Sequence, residues 1–323
     1  MKAVIVSVIC GSAMLAAPPL EVFAPGDVDG EFHVNTGELE GTLRLGGISF
    51  GFSPFRHVPT DTDLIAMMGL LNYYRVFTTN HRYGESMRAI PSDATLEAPD
   101  TLRVHWPADA DRPFELTGVY HWVAPDTVDL ETIVEAKEHL QEFDVFIASY
   151  LSERFPVSSV YVKGDDDKKA FITAEPEHGV WQAFPRDADA VRIIKDGRWD
   201  IPPSPVDWAV RPELAAPIIH RRNEATGLTV AMMARAEDCF AVFTPDRGEG
   251  HYSMYLSLFG KTLEAGDTAR ARIRMIIGPL NDDALLKRYK EFKRSFDESL
   301  TRRPHKPANC RTCPKRRPVS RKK

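Results

Sequence analysis

Polar and apolar residues alternate at every second position through much of the chain between residues 100 and 280. The run Thr268-Ala269-Arg270-Ala271-Arg272-Ile273-Arg274-Met275-Ile276-Ile277 sets Arg270, Arg272 and Arg274 on one side, since successive side chains of a strand face opposite ways. Leu102, Val104 and Trp106 point inward by the same rule, and Asp129, Glu131 and Glu135 share a face of a β-branched segment over 129–136. Further strands are predicted over 70–77, 114–123, 145–150, 158–162, 228–234, 240–243 and 252–259. Turn signals at 98–100, 124–126, 164–167, 236–238 and 264–267 separate them. Many short strands with such turns predict a mainly β protein, an antiparallel β-sandwich. One helix is predicted over 282–300: Asp282 or Asp283 caps it, and Leu285, Leu286, Tyr289, Phe292 and Phe296 form one stripe. Residues 185–217 hold six prolines together with Trp199 and Trp208 and predict a long ordered excursion, a kind of segment that is more often functional than decorative.

Composition changes this picture at the two ends. The chain has 323 residues, 43% of them hydrophobic, and a formal charge of −5. Residues 302–323 contribute ten Lys/Arg and no acid, which leaves the body at −15. An acidic body repels phosphates, so nucleic acid is not the expected partner. The four prolines and ten basic residues of 302–323 predict a disordered tail. Cys310 and Cys313 form a C-x-x-C pair within it. Zinc needs four ligands and the spacing of His305 and Cys239 supplies none of the usual patterns. A solvated basic tail is therefore the expectation, or a small disulfide if the protein is exported, with Cys239 left as a buried thiol. Met1-Lys2 and the apolar run after it predict a signal peptide over 1–24, too short and too soon broken by Pro18-Pro19 for a transmembrane anchor. A buried first strand over 4–9 is the alternative. The expected layout is a leader over 1–24, a sandwich with its helix over 25–301 and the tail over 302–323, in a periplasmic or secreted protein.

Two blocks carry a family resemblance. One is Pro113-Phe114-Glu115-Leu116-Thr117-Gly118-Val119-Tyr120-His121-Trp122 with the strand over 129–136; the other is His251-Tyr252-Ser253-Met254-Tyr255-Leu256-Ser257-Leu258-Phe259-Gly260 followed by Leu263-Glu264-Ala265-Gly266-Asp267. In pattern and strand order the body, roughly residues 28–280, resembles the galactose-mutarotase-like β-supersandwich family. The segment 72–89 is similar to secreted bacterial members of that group. The resemblance implies a concave sheet face that binds a sugar. It also implies epimerase, lyase or glycosidase-like chemistry, with a carboxylate base, a histidine acid and an arginine near the sugar.

Candidate chemistry falls in three groups. In Asn80-His81-Arg82-Tyr83-Gly84-Glu85, His81 offers a proton carrier and Arg82 and Tyr83 offer sugar contacts. Alternatively this is a loop with Arg82 paired to Glu85. In Gly248-Glu249-Gly250-His251-Tyr252, the glycines expose Glu249 and His251, an acid/base pair spanning a sugar ring, with Tyr252 beside them. The alternative there is a plain surface turn. His105 and His121 lie on a polar strand face, and His220, next to Arg221 and Arg222, reaches toward the same cleft. That polar face reads equally as a solvated one. Trp199 and Trp208 are the tryptophans expected to stack on sugar rings. No metal or cofactor is expected: His-Glu-x-x-His, P-loop, Rossmann and Gly-x-Ser-x-Gly patterns are all missing, and Asp165-Asp166-Asp167 lacks EF-hand spacing. A carbohydrate-active protein, enzyme or not, is the leading reading. A non-catalytic carbohydrate-binding module, or an assembly protein acting through its basic tail, is the alternative.

Overall fold

The structure, a computed structural model, describes residues 22–45, 50–66, 68–164, 166 and 168–301, with side chains as far as 295. The expected leader up to residue 21, the tail over 302–323 with its C-x-x-C, Phe296 of the helical stripe, and part of the 165–167 run lie outside the described residues.

Alternation becomes two large sheets packed face to face. A nine-stranded sheet runs, in spatial order, Lys169–Thr173, Val157–Lys163, Leu214–Arg222, Leu228–Ala234, Thr268–Pro279, Thr127–Ala136, Phe114–Ala124, Thr101–Trp106 and Asp93–Ala98. A seven-stranded sheet runs Ala209–Val210, Trp181–Pro185, Cys239–Pro245, Ser253–Leu263, Leu140–Tyr150, Asn72–Thr78 and His81–Arg82. Only the short pair Trp181–Pro185 and Ala209–Val210 is parallel among the described strand pairs. A five-stranded meander between Phe23–Pro25 and Thr62–Asp63 extends the core through Phe52, whose ring lies 5.7 Å from Tyr120 and 5.8 Å from Trp122.

The main core fills the space between the large sheets, with Leu102, Val104 and Trp106 inward as the period predicts. Burying each such side chain contributes ~1.5–3 kcal/mol. Two tyrosine hydroxyls cross this core and both are satisfied: Tyr73 Oη to Thr132 Oγ1 at 2.8 Å and Tyr120 Oη donating to Leu71 O at 2.7 Å. Gly118 makes the first crossing possible, because a Cβ there would stand 2.5 Å from the Tyr73 hydroxyl.

The helix Asp282–Thr301 packs Leu285, Tyr289 and Phe292 toward the outer face of the nine-stranded sheet, Tyr289 and Phe292 clustering with Ile218, Met233 and Ile276. Its cap differs from expectation. Asn281 Oδ1 accepts from Ala284 N at 2.9 Å, while Asp282 is engaged by Arg222 Nη2 at 2.8 Å. The expected leader boundary falls inside a strand: Val22 and Phe23 are buried and both amides donate to Pro99 O, at 2.9 and 2.8 Å. Val22 to Ala24 are thus part of the folded body. Cys239 is a buried thiol whose Sγ donates to Ala241 O at 3.2 Å, out of reach as a metal ligand for surface groups. Among the described residues no helix is long and apolar enough to cross a membrane, and no His/Cys/Asp/Glu cluster is arranged for a metal.

Candidate functional site

The outer face of the seven-stranded sheet is apolar and covered by the proline-rich excursion. Its short helix Ala188–Ile194, absent from the sequence reading, is capped by Asp187, whose carboxylate accepts from Ala190 N at 2.9 Å. Behind it, Gly197 takes a left-handed turn (φ 94°) where a Cβ would stand 2.9 Å from Asn80 Oδ1. The turn drives the fully buried Arg198 into the sheet. Its guanidinium meets Asp196 Oδ2 at 2.8 Å, Asp144 Oδ2 at 3.3 Å and Glu142 O at 3.1 Å. Burial pushes the Asp144 carboxyl up to about 7 against the pull of Arg198. Two further arginines fasten the far end of the excursion: Arg75 donates to Ser204 O at 3.0 Å and Arg82 to Pro203 O at 2.7 Å.

Between excursion and sheet lies a cleft of about 270 Å³. Its floor is Tyr74, Arg75, Phe146, Tyr150 and Tyr255. Trp199, Trp208 and residues 204–206 form one wall, with Trp181 and His251 also on its lining. A bulge aims the floor. Arg75 pairs with Phe146 and Tyr73 with Ile147, leaving Tyr74 as an extra residue in its strand. Tyr73 therefore faces the core, while Tyr74 and Arg75 both face the cleft.

His251 is held by its own turn. Buried Asp246 accepts from the amides of Gly248 and Glu249, the latter at 3.0 Å. Glu249 Oε2 accepts from His251 N at 2.8 Å and its Oε1 meets His251 Nδ1. A carboxylate at Nδ1 selects the tautomer with the proton there and leaves Nε2 as the acceptor. Glu249 and His251 do not straddle a ring; the carboxylate orients the imidazole. His251 and Tyr150 also border a second hollow of about 420 Å³, lined further by Asp63, Ser152, Glu153, Arg154 and Tyr252.

The remaining candidates lie elsewhere. His81 is exposed at the sheet edge with its ring against Tyr83 (4.5 Å), and Tyr83 is buried between the sheets, 5.0 Å from Phe114. Arg82 donates to the Glu85 carbonyl rather than pairing with its carboxylate. His105 meets Glu115 at 2.8 Å in a shallow groove on the outer face of the nine-stranded sheet, and half-exposed His121 stands 3.6 Å from Asp100. The charges around that groove answer one another: Lys137 reaches Glu135 at 2.7 Å, Arg270 reaches Glu131 at 3.5 Å, and Arg274 reaches Asp129 at 2.7 Å. It reads as a solvated face.

His220 and Arg221, adjacent on one strand, point to opposite sides. Arg221 goes inward beneath the His251 turn and donates to Ser253 O (3.2 Å), Phe155 O (3.1 Å), Pro156 O (2.9 Å) and Pro245 O (3.3 Å). Burial pulls its pKa down to about 10. His220 goes outward, 1% exposed, against Phe171, with neither ring nitrogen hydrogen-bonded. Burial pulls its imidazole down to about 4, with Arg222 adding to the effect and Asp282 opposing it. The unfolded chain takes up this proton first as pH falls through about 6.5. His220 therefore contributes stability above pH 6.5 that is lost toward pH 4. In urea titrations we expect wild type to lose ~3 kcal/mol more than His220→Phe between pH 7 and pH 4. Parallel losses in the two proteins refute this.

No protein-family model and no curated protein sequence matches this chain. Solved structures do. The α-N-acetylgalactosaminidase NagBb of Bifidobacterium bifidum, in complex with GalNAc, superposes with a TM-score of 0.52 at 12% identity, over 82% of this chain and 39% of that one. The Slr1438 protein of Synechocystis sp. PCC 6803 gives 0.47 at 9% identity, over 82% and 100%. An aldose 1-epimerase-like protein of Escherichia coli K12 gives 0.43 at 11%, over 77% and 99%. At these identities the likeness is one of fold alone, a mainly antiparallel β-sandwich.

Proposed function

We propose that the cleft over the seven-stranded sheet binds a sugar ring and that His251, oriented by Glu249, moves a proton at that ring. The observation that carries this is the composition of one cleft. Half-buried Trp181 and Tyr74 offer rings to the apolar face of a sugar; Trp199 and Trp208, expected to stack on it, are instead buried (4% and 3% exposed) and back the wall, while Arg75 offers a polar anchor and a carboxylate-held imidazole stands at the cleft. Fold likeness to NagBb, solved with GalNAc, supports the ligand class. No Asp or Glu lines this cleft, so cleavage by a pair of carboxylates has no residues here. Proton transfer, as in epimerisation or elimination, uses what is present, with His251 and the Tyr150 hydroxyl as the two carriers. The leader-like residues at the N-terminus favour a periplasmic or secreted setting for this activity.

Proton NMR of the full chain with freshly dissolved monosaccharides and a panel of oligosaccharides tests the reading. Accelerated exchange between anomers, or new product signals, is the expected result. Ligand line broadening without conversion reduces the protein to a binding module. Sugars that show neither effect overturn the proposal.

A further inference from the structure

Among the described residues most guanidinium groups face a carboxylate, as Arg192, Arg198, Arg274 and Arg288 do. Arg75, which lines the cleft, and Arg82 and Arg88 near it do not. Arg75 is 3% exposed. Its Nη2 donates to Tyr74 Oη (3.1 Å) and Ser204 O (3.0 Å), its guanidinium lies 4.8 Å from the Tyr74 ring and 5.5 Å from the Trp199 ring, and its Nε is buried without an acceptor. Arg82, 9% exposed, is spent on the Pro203 and Glu85 carbonyls, and its Nε is likewise without an acceptor. Arg88, half-buried, lies 4.6 Å from the same Tyr74 ring and against the Met68 sulfur.

Such a group is unfavourable on its own. A buried cation facing only dipoles and rings has lost its water without gaining an opposite charge. These cations also feel one another: burial lowers the pKa of Arg82, and the charge of Arg75 lowers it further. No acid lines the cleft to offset them. The body of the protein carries −15, so a local excess of positive charge is not a by-product of a basic surface.

We propose that the Arg75 side of the cleft seats an oxyanion carried by the sugar, a carboxylate or a phosphate, with Arg75 as its main ligand and Arg88 beside it across Tyr74. Arginine suits the role, since its planar fork matches both groups. The proposal rests on the sugar reading of the cleft and narrows it to acidic sugars.

Calorimetric titration of the full chain with galactose, galacturonate and galactose 6-phosphate provides the test. We expect one acidic sugar or both to bind ~10- to 100-fold more tightly than galactose, and that preference to shrink as salt is raised. Galacturonate alone, or the phosphate alone, identifies the anion. Arg88→Met, at a half-buried position, keeps the fold and lowers the preference several-fold; Arg75→Met abolishes it, and Arg75→Lys retains part of it. Sulfate and malonate serve as sugar-free probes read by the rise in Tm that each gives. Equal affinity for the neutral and acidic sugars overturns the anion seat and leaves the sugar reading standing. A Tm rise with sulfate that Arg88→Met removes, with no sugar bound, supports the seat and sinks the sugar reading. Silence from sugars and anions alike overturns both.

Discussion

Arg198→Met is expected to destabilise the protein by ~3–5 kcal/mol at neutral pH, because it leaves the buried Asp144 and the half-buried Asp196 without their shared cation. The size of the loss should itself depend on pH. Burial already pushes Asp144 up to about 7 with Arg198 present, and without the guanidinium it goes higher. A carboxyl whose folded pKa lies above its unfolded value near 3.9 lowers stability increasingly as pH rises from there. The gap between variant and wild type is therefore widest at pH 8, narrows as pH falls through about 7, and levels off below that, where Asp144 is protonated in both folded proteins. Adding Asp144→Asn should restore part of it, since the two residues are in contact and their effects do not add. Denaturant titrations at pH 4, 6 and 8 measure all of this. A loss below 1 kcal/mol, constant across pH, would show that water reaches the network. Because Arg198 ties the excursion to the sheet, the same variant should also weaken ligand binding in the cleft.

His251→Gln should lower turnover of the responsive sugar by ~10²–10⁴-fold, the usual contribution of one positioned acid/base group. Binding should change little, since Trp199, Trp208 and Arg75 are untouched. Line broadening and conversion rate, measured on one NMR sample, separate the two effects. Turnover that survives the substitution removes His251 from the chemistry. Loss of binding together with turnover makes it a ligand contact instead.

Strands with one wet face were legible in the sequence. Those over 101–106, 114–124, 127–136 and 268–279 alternate cleanly, since one side packs on the core and the other meets water or the C-terminal helix. Leu214–Arg222 was not, because it is covered on both faces and contains Pro217, so neither period nor composition marks it. The helix Ala188–Ile194 spans only seven residues inside a proline-rich stretch, too short for a 3.6-residue pattern to declare itself. The meander that begins at Phe23 was hidden behind a leader-like beginning.

Of the residues singled out in the sequence, the candidate cleft brings together His251, with Glu249 against it, and the buried Trp199 and Trp208; Tyr74, Arg75, Tyr150 and Tyr255 were not singled out. Strict alternation sends Arg75 to the same side as Tyr73, and only the bulge at Tyr74 brings it to the cleft. One-residue parity likewise separates His220 from Arg221: the side that holds the His251 turn receives the arginine. Such facts belong to strand register, which a composition window does not see.

The ends of the sheets bear on how this protein behaves in a crowd. An unpaired strand edge is a template on which another chain can add itself. The seven-stranded sheet closes on two-residue strands at both ends, Ala209–Val210 and His81–Arg82, which offer almost no ladder to copy. The nine-stranded sheet ends on one side in Lys169–Thr173, led by exposed lysines, and on the other in Asp93–Ala98, with Asp93 and Glu97 exposed. Both large sheets therefore end in strands that are either very short or carry exposed charge. Such edges oppose the addition of a neighbour's strand to either large sheet.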